Sequence, residues 1–253
     1  MSLPAVTPPD VAILSDGVSI DVVEHDGSAT AVIWPGMGSQ SRTMHRIELD
    51  TGGATRPLRH ESEAVYFVAE GSGRVAGLPL KRHDMVYVPR RSAYRFVADE
   101  PLLLWGGPCP PDRSLYGEGE PLAADGDPGS PPRLFDADSE GVPLPMIGRR
   151  VRLVVWPGVG ADVATMNFAI LEPGEQNTPH AHAESDDVIA ILEGRASIDN
   201  LDTGETHDFS AGDVVFVRAG VRHMVKCDKG VPIMSAGGPC PPDFEMLRGL
   251  GLV

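Results

Sequence analysis

An all-β fold made of two copies of one sandwich- or jelly-roll-like unit is predicted by three observations: an internal repeat, short apolar runs punctuated by glycine, and a near absence of helix-period stretches. The repeat appears when Trp34-Pro35-Gly36-Met37-Gly38 is laid over Trp156-Pro157-Gly158-Val159-Gly160, an offset of 122 residues. The same register matches Thr43-Met44 to Thr165-Met166, Leu49 to Leu171, Gly52 to Gly174, Pro57 to Pro179 and His60 to His182. After a one-residue gap Glu61-Ser62-Glu63 lies over Glu184-Ser185-Asp186, and Gly106-Gly107-Pro108-Cys109-Pro110-Pro111-Asp112 returns as Gly237-Gly238-Pro239-Cys240-Pro241-Pro242-Asp243. Seven identical residues in a row exclude coincidence, so the chain is a duplicated unit.

Composition and local pattern agree with that architecture. The chain of 253 residues is long enough for two domains with separate cores, and its 29 Gly and 24 Pro suit many strands joined by turns. Runs such as Ala64–Ala69, Val188–Leu192, Met85–Val88 and Val214–Val217 are short, apolar or β-branched, and bounded by turn residues, as strands are. These features place a first barrel at residues 1–116, a linker at 117–145 rich in Gly, Pro and Asp, and a second barrel at 146–253. Trp34 and Trp156 recur before Pro-Gly in both copies and are expected to pack structurally.

Charge narrows the partners. A net charge of −15 repels phosphate backbones and anionic lipid, and Lys and Arg form no dense run, so no nucleic-acid partner is expected. No apolar run reaches the ~18 residues of a membrane span, and MSLPAVTPPD has neither the basic start nor the apolar core of a signal peptide. A cytoplasmic protein without membrane contact is expected. Cys109, Cys227 and Cys240 are too few and too dispersed for a disulfide framework and read as reduced thiols.

The second copy carries a metal-ligand pattern. In Pro179-His180-Ala181-His182 two imidazoles stand two residues apart, which in extended chain puts both on one face. Asp186 and Asp187 follow, and His223 arrives after the strand 213–217 and the turn Arg218-Ala219-Gly220. Three imidazoles and a carboxylate suit a divalent transition metal with open positions for water, oxygen or substrate. If His223 faces inward, Val225 and Cys227 share its face by alternation, with packing the expected role of the thiol.

With these residues on the page, the chain resembles the cupin family. Gly174-x5-His180-x-His182-x4-Asp187-x6-Gly194 and Gly212-x5-Arg218-x-Gly220-x2-His223 reproduce the spacing of both cupin motifs, with Asp187 where the family has Glu and Arg218 where it has Pro. The resemblance implies a bicupin of two tandem jelly-roll β-barrels that holds one divalent metal per chain (Fe, Mn, Ni, Cu or Zn) on His180, His182, Asp187 and His223. Asp186 is the rival carboxylate ligand. In the first copy the ligand positions read Leu58, His60, Ala64 and Tyr94, so no metal site of this kind is expected there. The activity implied is a metal-dependent enzyme of dioxygenase type acting on a small organic molecule. The alternatives are a non-redox isomerase, lyase or decarboxylase in which Asp186 moves the proton, and a non-enzymatic binder of small ligands. A homodimer formed by exchange of terminal strands is a further implication.

Overall fold

The computed structural model describes residues 9–123 and 128–253 and is all-β, with two compact units, each a curled β-barrel. The first unit is Asp16–Asp138; the second joins residues 9–15 to Ser139–Val253.

In the first unit one sheet runs in the order Arg133–Asp136, Asp84–Val88, Glu63–Glu70, Leu102–Cys109, Met44–Thr55, Phe96–Ala98, Ser72–Val75 and Leu78–Lys81, and Val23–Ile33 also joins Met44–Thr55. The strand Glu63–Glu70 is buried on both faces until its last residue, which explains its near-continuous apolar run AVYFVA.

In the second unit a seven-stranded sheet runs Val11–Leu14, Val214–Val217, Asp186–Glu193, Ile233–Cys240, Met166–Leu171, Arg150–Val155 and Val142–Pro143. A separate three-stranded sheet, Glu205–Ser210, Arg195–Asn200 and His223–Lys226, supplies the other wall. Residues from both sheets, among them Val215 and Ile191 from one and Ile198 and Val225 from the other, share one buried cluster.

The repeat is visible in the pairing. Met44–Thr55, Glu63–Glu70 and Leu102–Cys109 bond to one another in the same order as Met166–Leu171, Asp186–Glu193 and Ile233–Cys240. Each copy also acquires an outer strand from beyond the repeat. Arg133–Asp136 pairs with Asp84–Val88 in the first unit, and Val11–Leu14 pairs with Val214–Val217 in the second. Thus part of the stretch 117–145 is strand, and a four-residue piece from near the N-terminus belongs to the second barrel. Neither has a local sequence signal, because each pairing reaches across tens to hundreds of residues to satisfy a sheet edge.

Trp34 and Trp156 each fold back over the glycine two residues on: a Cβ at Gly36 or Gly158 would sit 2.1 or 2.2 Å from the indole. Trp34 is buried and Trp156 half-buried, so the motif is a packing device in both copies. All three cysteines are buried free thiols. Among the described residues no helix is long and apolar enough to cross a membrane.

Candidate metal centre

His180, His182, Asp187 and His223 converge in the second barrel, with one donor atom from each lying within 4.8 Å of all the others. Asp187 is the second residue of the strand Asp186–Glu193, and His223 opens His223–Lys226 on the opposing sheet. The segment carrying His180 is tied to that sheet by the bridge His180↔His223, in which each backbone N–H donates to the other's carbonyl. His182 is buried two residues further on, and its carbonyl accepts from Gly220 N–H, so the second motif's glycine turn anchors the first motif.

Each imidazole is oriented from behind. His180 Nδ1 lies 2.9 Å from the Thr178 carbonyl and His223 Nδ1 3.0 Å from that of Val221. His182 Nδ1 lies 2.8 Å from Asp243 Oδ2. Carbonyls and carboxylates only accept, so in all three the proton sits on Nδ1 and the Nε2 lone pair is left for the centre. The hydrogen bond from His182 also holds the Asp243 carboxyl below its ordinary range, keeping it an acceptor.

At the centre the polar atoms face one another without partners. Asp187 Oδ1 and His223 Nε2 are buried and make no hydrogen bond, while Asp187 Oδ2 lies 3.4 Å from His223 Nε2 and 3.8 Å from His182 Nε2. Two lone-pair donors held this close in a buried site are costly unless a cation lies between them. Burial alone pushes the Asp187 carboxyl up, yet the surrounding His223, His182 and His180 outweigh it and hold the group at about 2, ionised at neutral pH. Burial, followed by repulsion from His223 and His182, lowers His180 and favours its neutral, ligating form. For His223 burial acts downward, but the Asp187 carboxylate prevails and its value is raised. The donor set therefore fits a divalent metal, and the shorter Asp187 reaches the imidazoles from its strand without the extra methylene of Glu.

Asp186 is not brought to this cluster. It occupies the alternate face of the strand, where its Oδ1 accepts from Ala219 N–H at 3.1 Å, and it does not line the cavity beside the donors. The carboxylate in the donor cluster is Asp187, while Asp186 is not among the residues lining that cavity. Val225 does line the cavity, whereas Cys227 Sγ turns to the Val231 carbonyl at 3.0 Å.

The cavity wall beyond the metal donors is apolar, formed by residues such as Ile147, Ile189, Ile191, Phe209, Val215 and Met246, with amides of Asn167 and Asn177 and the Ser235 hydroxyl among them. On the outer side of His180 and His182 a second hollow is bordered by Thr178, Asp243 and Glu245. Asp243 was missed by motif spacing. The signal for it is the seven-residue repeat that ends on Asp112 and Asp243, since both copies keep this aspartate and its histidine: His60 Nδ1 lies 2.6 Å from Asp112 Oδ2.

Fold and donor cluster together give a cupin-like barrel with a group of side chains that could hold a metal ion. Residues 167–234 match the cupin domain family, and both units of the chain have the fold of cupin barrels. Among curated proteins it is 34% identical over 93 residues to polyketide synthase CurC of Streptomyces cyaneus, an alignment spanning 36% of this chain and 58% of that protein. Among solved structures it is similar to Bacillus subtilis oxalate decarboxylase, studied for its Mn(II) centres, at 16% identity and TM-score 0.69 over 96% of this chain and 79% of the other. The formate complex of Lactobacillus farciminis oxalate decarboxylase gives 16% identity and TM-score 0.69 over 94% and 87%. At that identity the likeness is one of fold.

Proposed function

We propose that the second barrel is the active site of a metal-dependent oxidoreductase of dioxygenase type, acting on a small, neutral, largely apolar molecule that presents oxygen atoms to the metal. The observation that carries this reading is the character of the cavity. Among its described lining residues there is no Lys or Arg, and the only titratable groups are proposed metal ligands. A dianion such as oxalate, the substrate named for the structural neighbours, would meet no side-chain cation there and would pass Asp243 and Glu245 on the outer side. A neutral enol or phenol suits these walls, in keeping with the polyketide chemistry named for the Streptomyces relative.

In this reading His180, His182, Asp187 and His223 hold one divalent ion, and Asp243 keeps His182 in its ligating tautomer. When bound, a redox-active ion supplies Lewis acidity toward substrate oxygens and a path for electrons to dioxygen. The apolar walls exclude water and orient the hydrocarbon part of the substrate. Both oxygen atoms enter the product and the electrons come from the substrate, so no separate reductant is needed. A proton-transfer isomerase or lyase needs an acid or base beside the metal, and Asp186 is turned elsewhere.

Metal content measured by plasma mass spectrometry, followed by oxygen uptake with a panel of neutral phenols and β-diketones, tests this. About one iron, manganese, nickel or copper per chain with substrate-dependent oxygen consumption is expected. Zinc with oxygen-independent turnover overturns the redox assignment, and metal-loaded protein that binds such molecules without turnover overturns the enzyme assignment in favour of a binding module.

A further inference from the structure

We infer that Asn167 is the hydrogen-bonding arm of this site, a specificity-determining residue that takes a hydroxyl of the substrate and selects neutral hydroxylated molecules over their apolar or etherified analogues; this rests on the second barrel being the substrate site. Strand register places the residue. Asn167, Gly237 and Ile189 lie side by side across three neighbouring strands, and Asp187 and Pro239 form the next row along the same face. Asn167 therefore stands one side-chain step from the metal-donor level, on the cavity wall.

Its Oδ1 is buried with no hydrogen-bond partner. An orphaned amide oxygen in a cavity whose lining includes Ile189, Ala169 and Leu171 is a cost to folding, and it is retained where a ligand supplies the missing donor. Space is kept for it. A side chain at Gly238 would place its Cβ 2.7 Å from Asn167 Nδ2, so only glycine leaves the amide in this position.

The first barrel is an internal control. The repeat aligns His45 with Asn167, Gly106 with Gly237 and Leu247 with Tyr116, and His45 pairs with Gly106 as Asn167 does with Gly237. There the polar side chain is satisfied, because His45 Nε2 lies 2.6 Å from Tyr116 Oη. In the second barrel Leu247 takes the tyrosine's position, buried and without a donor, and Asn167 lies in the hollow it borders. The same strand position is thus closed by the protein in one copy and left for something else in the other.

Catechol and guaiacol, which differ by one hydroxyl hydrogen replaced with methyl, serve as probes on Co(II)-loaded full-length protein, with affinities read from the Co(II) absorption bands. Wild type is expected to prefer catechol, and Asn167→Leu to shrink that preference about tenfold, with Co(II) content unchanged and Tm equal or higher because the orphaned amide is gone. Asn167→Ser, which keeps a hydroxyl, is expected to fall between the two and serves as the variant should the leucine not fold. An unchanged catechol preference, or a drop in Tm with loss of Co(II), overturns the role of Asn167 while leaving the metal site in place. Wild-type protein that takes up no Co(II), or whose Co(II) bands ignore catechol, overturns the site reading and this inference together.

Discussion

The two barrels share one strand order and fill their centres in opposite ways. In the second, His180, His182, Asp187 and His223 gather around a common point, beside a cavity walled by Ile189 and its neighbours. In the first, the matching positions hold Leu58, His60, Ala64 and Tyr94, and Leu58 bridges Tyr94 as His180 bridges His223. Tyr94 Oη lies 2.8 Å from His60 Nε2 and 2.7 Å from Tyr66 Oη, so a phenol meets the imidazole nitrogen that a metal would otherwise take. Tyr66 stands where the second barrel has Ile189, and it packs on Phe96 at 5.0 Å between ring centroids. Aromatic side chains thus occupy in one copy the region that is cavity in the other. Losing a metal site takes more than losing ligands; the surviving histidine must be given a new partner and the space filled.

The largest effect expected from breaking this contrast is on metal content. His182→Ala or His223→Ala should reduce bound metal from about one ion per chain to a small fraction, measured by plasma mass spectrometry after dialysis, with catalytic oxygen uptake lost in parallel. His60→Ala should leave metal content unchanged. Equal losses in the His60 and His182 variants would break the distinction between the barrels.

Next in size is the shared aspartate. Asp243→Ala removes the acceptor that fixes the His182 tautomer and should weaken metal affinity about 10- to 100-fold, read by competition with a chromophoric chelator. Asp112→Ala makes the same cut behind His60 and should lower Tm without altering metal affinity. Asp243 also accepts from Met246 N–H at the start of the helix Phe244–Gly249, so Asp243→Asn, which still has an acceptor oxygen there, separates capping from ligand orientation.

Much of this contrast was legible in the sequence because it is written in spacing. His-x-His is a same-face pair within extended chain, and the glycine turn before His223 fixes where the next strand begins, so four ligands could be read in order. The first copy's substitutions at the same offsets marked the site's loss. What spacing could not show is contact between distant segments. Asp243 reaches His182 across 61 residues, Val11–Leu14 pairs with Val214–Val217 across the whole chain, and the outward turn of Asp186 depends on which of two adjacent residues faces the barrel. Asn167 was equally silent, since an amide is conspicuous only once its oxygen is seen to lack a hydrogen-bond partner.

A smaller effect tests the tyrosine plug. Tyr94→Phe keeps the ring and removes the hydroxyl shared by His60 and Tyr66, leaving two buried polar groups to rearrange. A loss of about 1–3 kcal/mol in unfolding free energy is expected from denaturant titration, with metal content unaffected. A neutral outcome would mean that the plug is held by ring packing alone.

The smallest effect concerns pH and again separates the copies, because His45 is a buried base in the first barrel where the second has an uncharged amide. Burial, and then the neighbouring His60, lowers the His45 imidazole to about 3, with Asp112 opposing. In the unfolded chain an ordinary histidine takes up a proton near pH 6.5, so between that value and about 3 the unfolded state binds the extra proton and the folded state does not. The stability due to neutral His45 is therefore complete above pH 6.5 and declines as pH falls, by at most about 1.4 kcal/mol per pH unit for a single group. His45→Gln keeps a hydrogen-bonding side chain facing Tyr116 and cannot titrate. Its unfolding free energy should fall less steeply than wild type between pH 6.5 and 4, whereas Asn167→Gln at the aligned position of the second barrel should leave the slope unchanged. Parallel slopes for wild type and His45→Gln would show that His45 gains its proton without opening the first barrel, and that this part of the contrast is one of packing rather than charge.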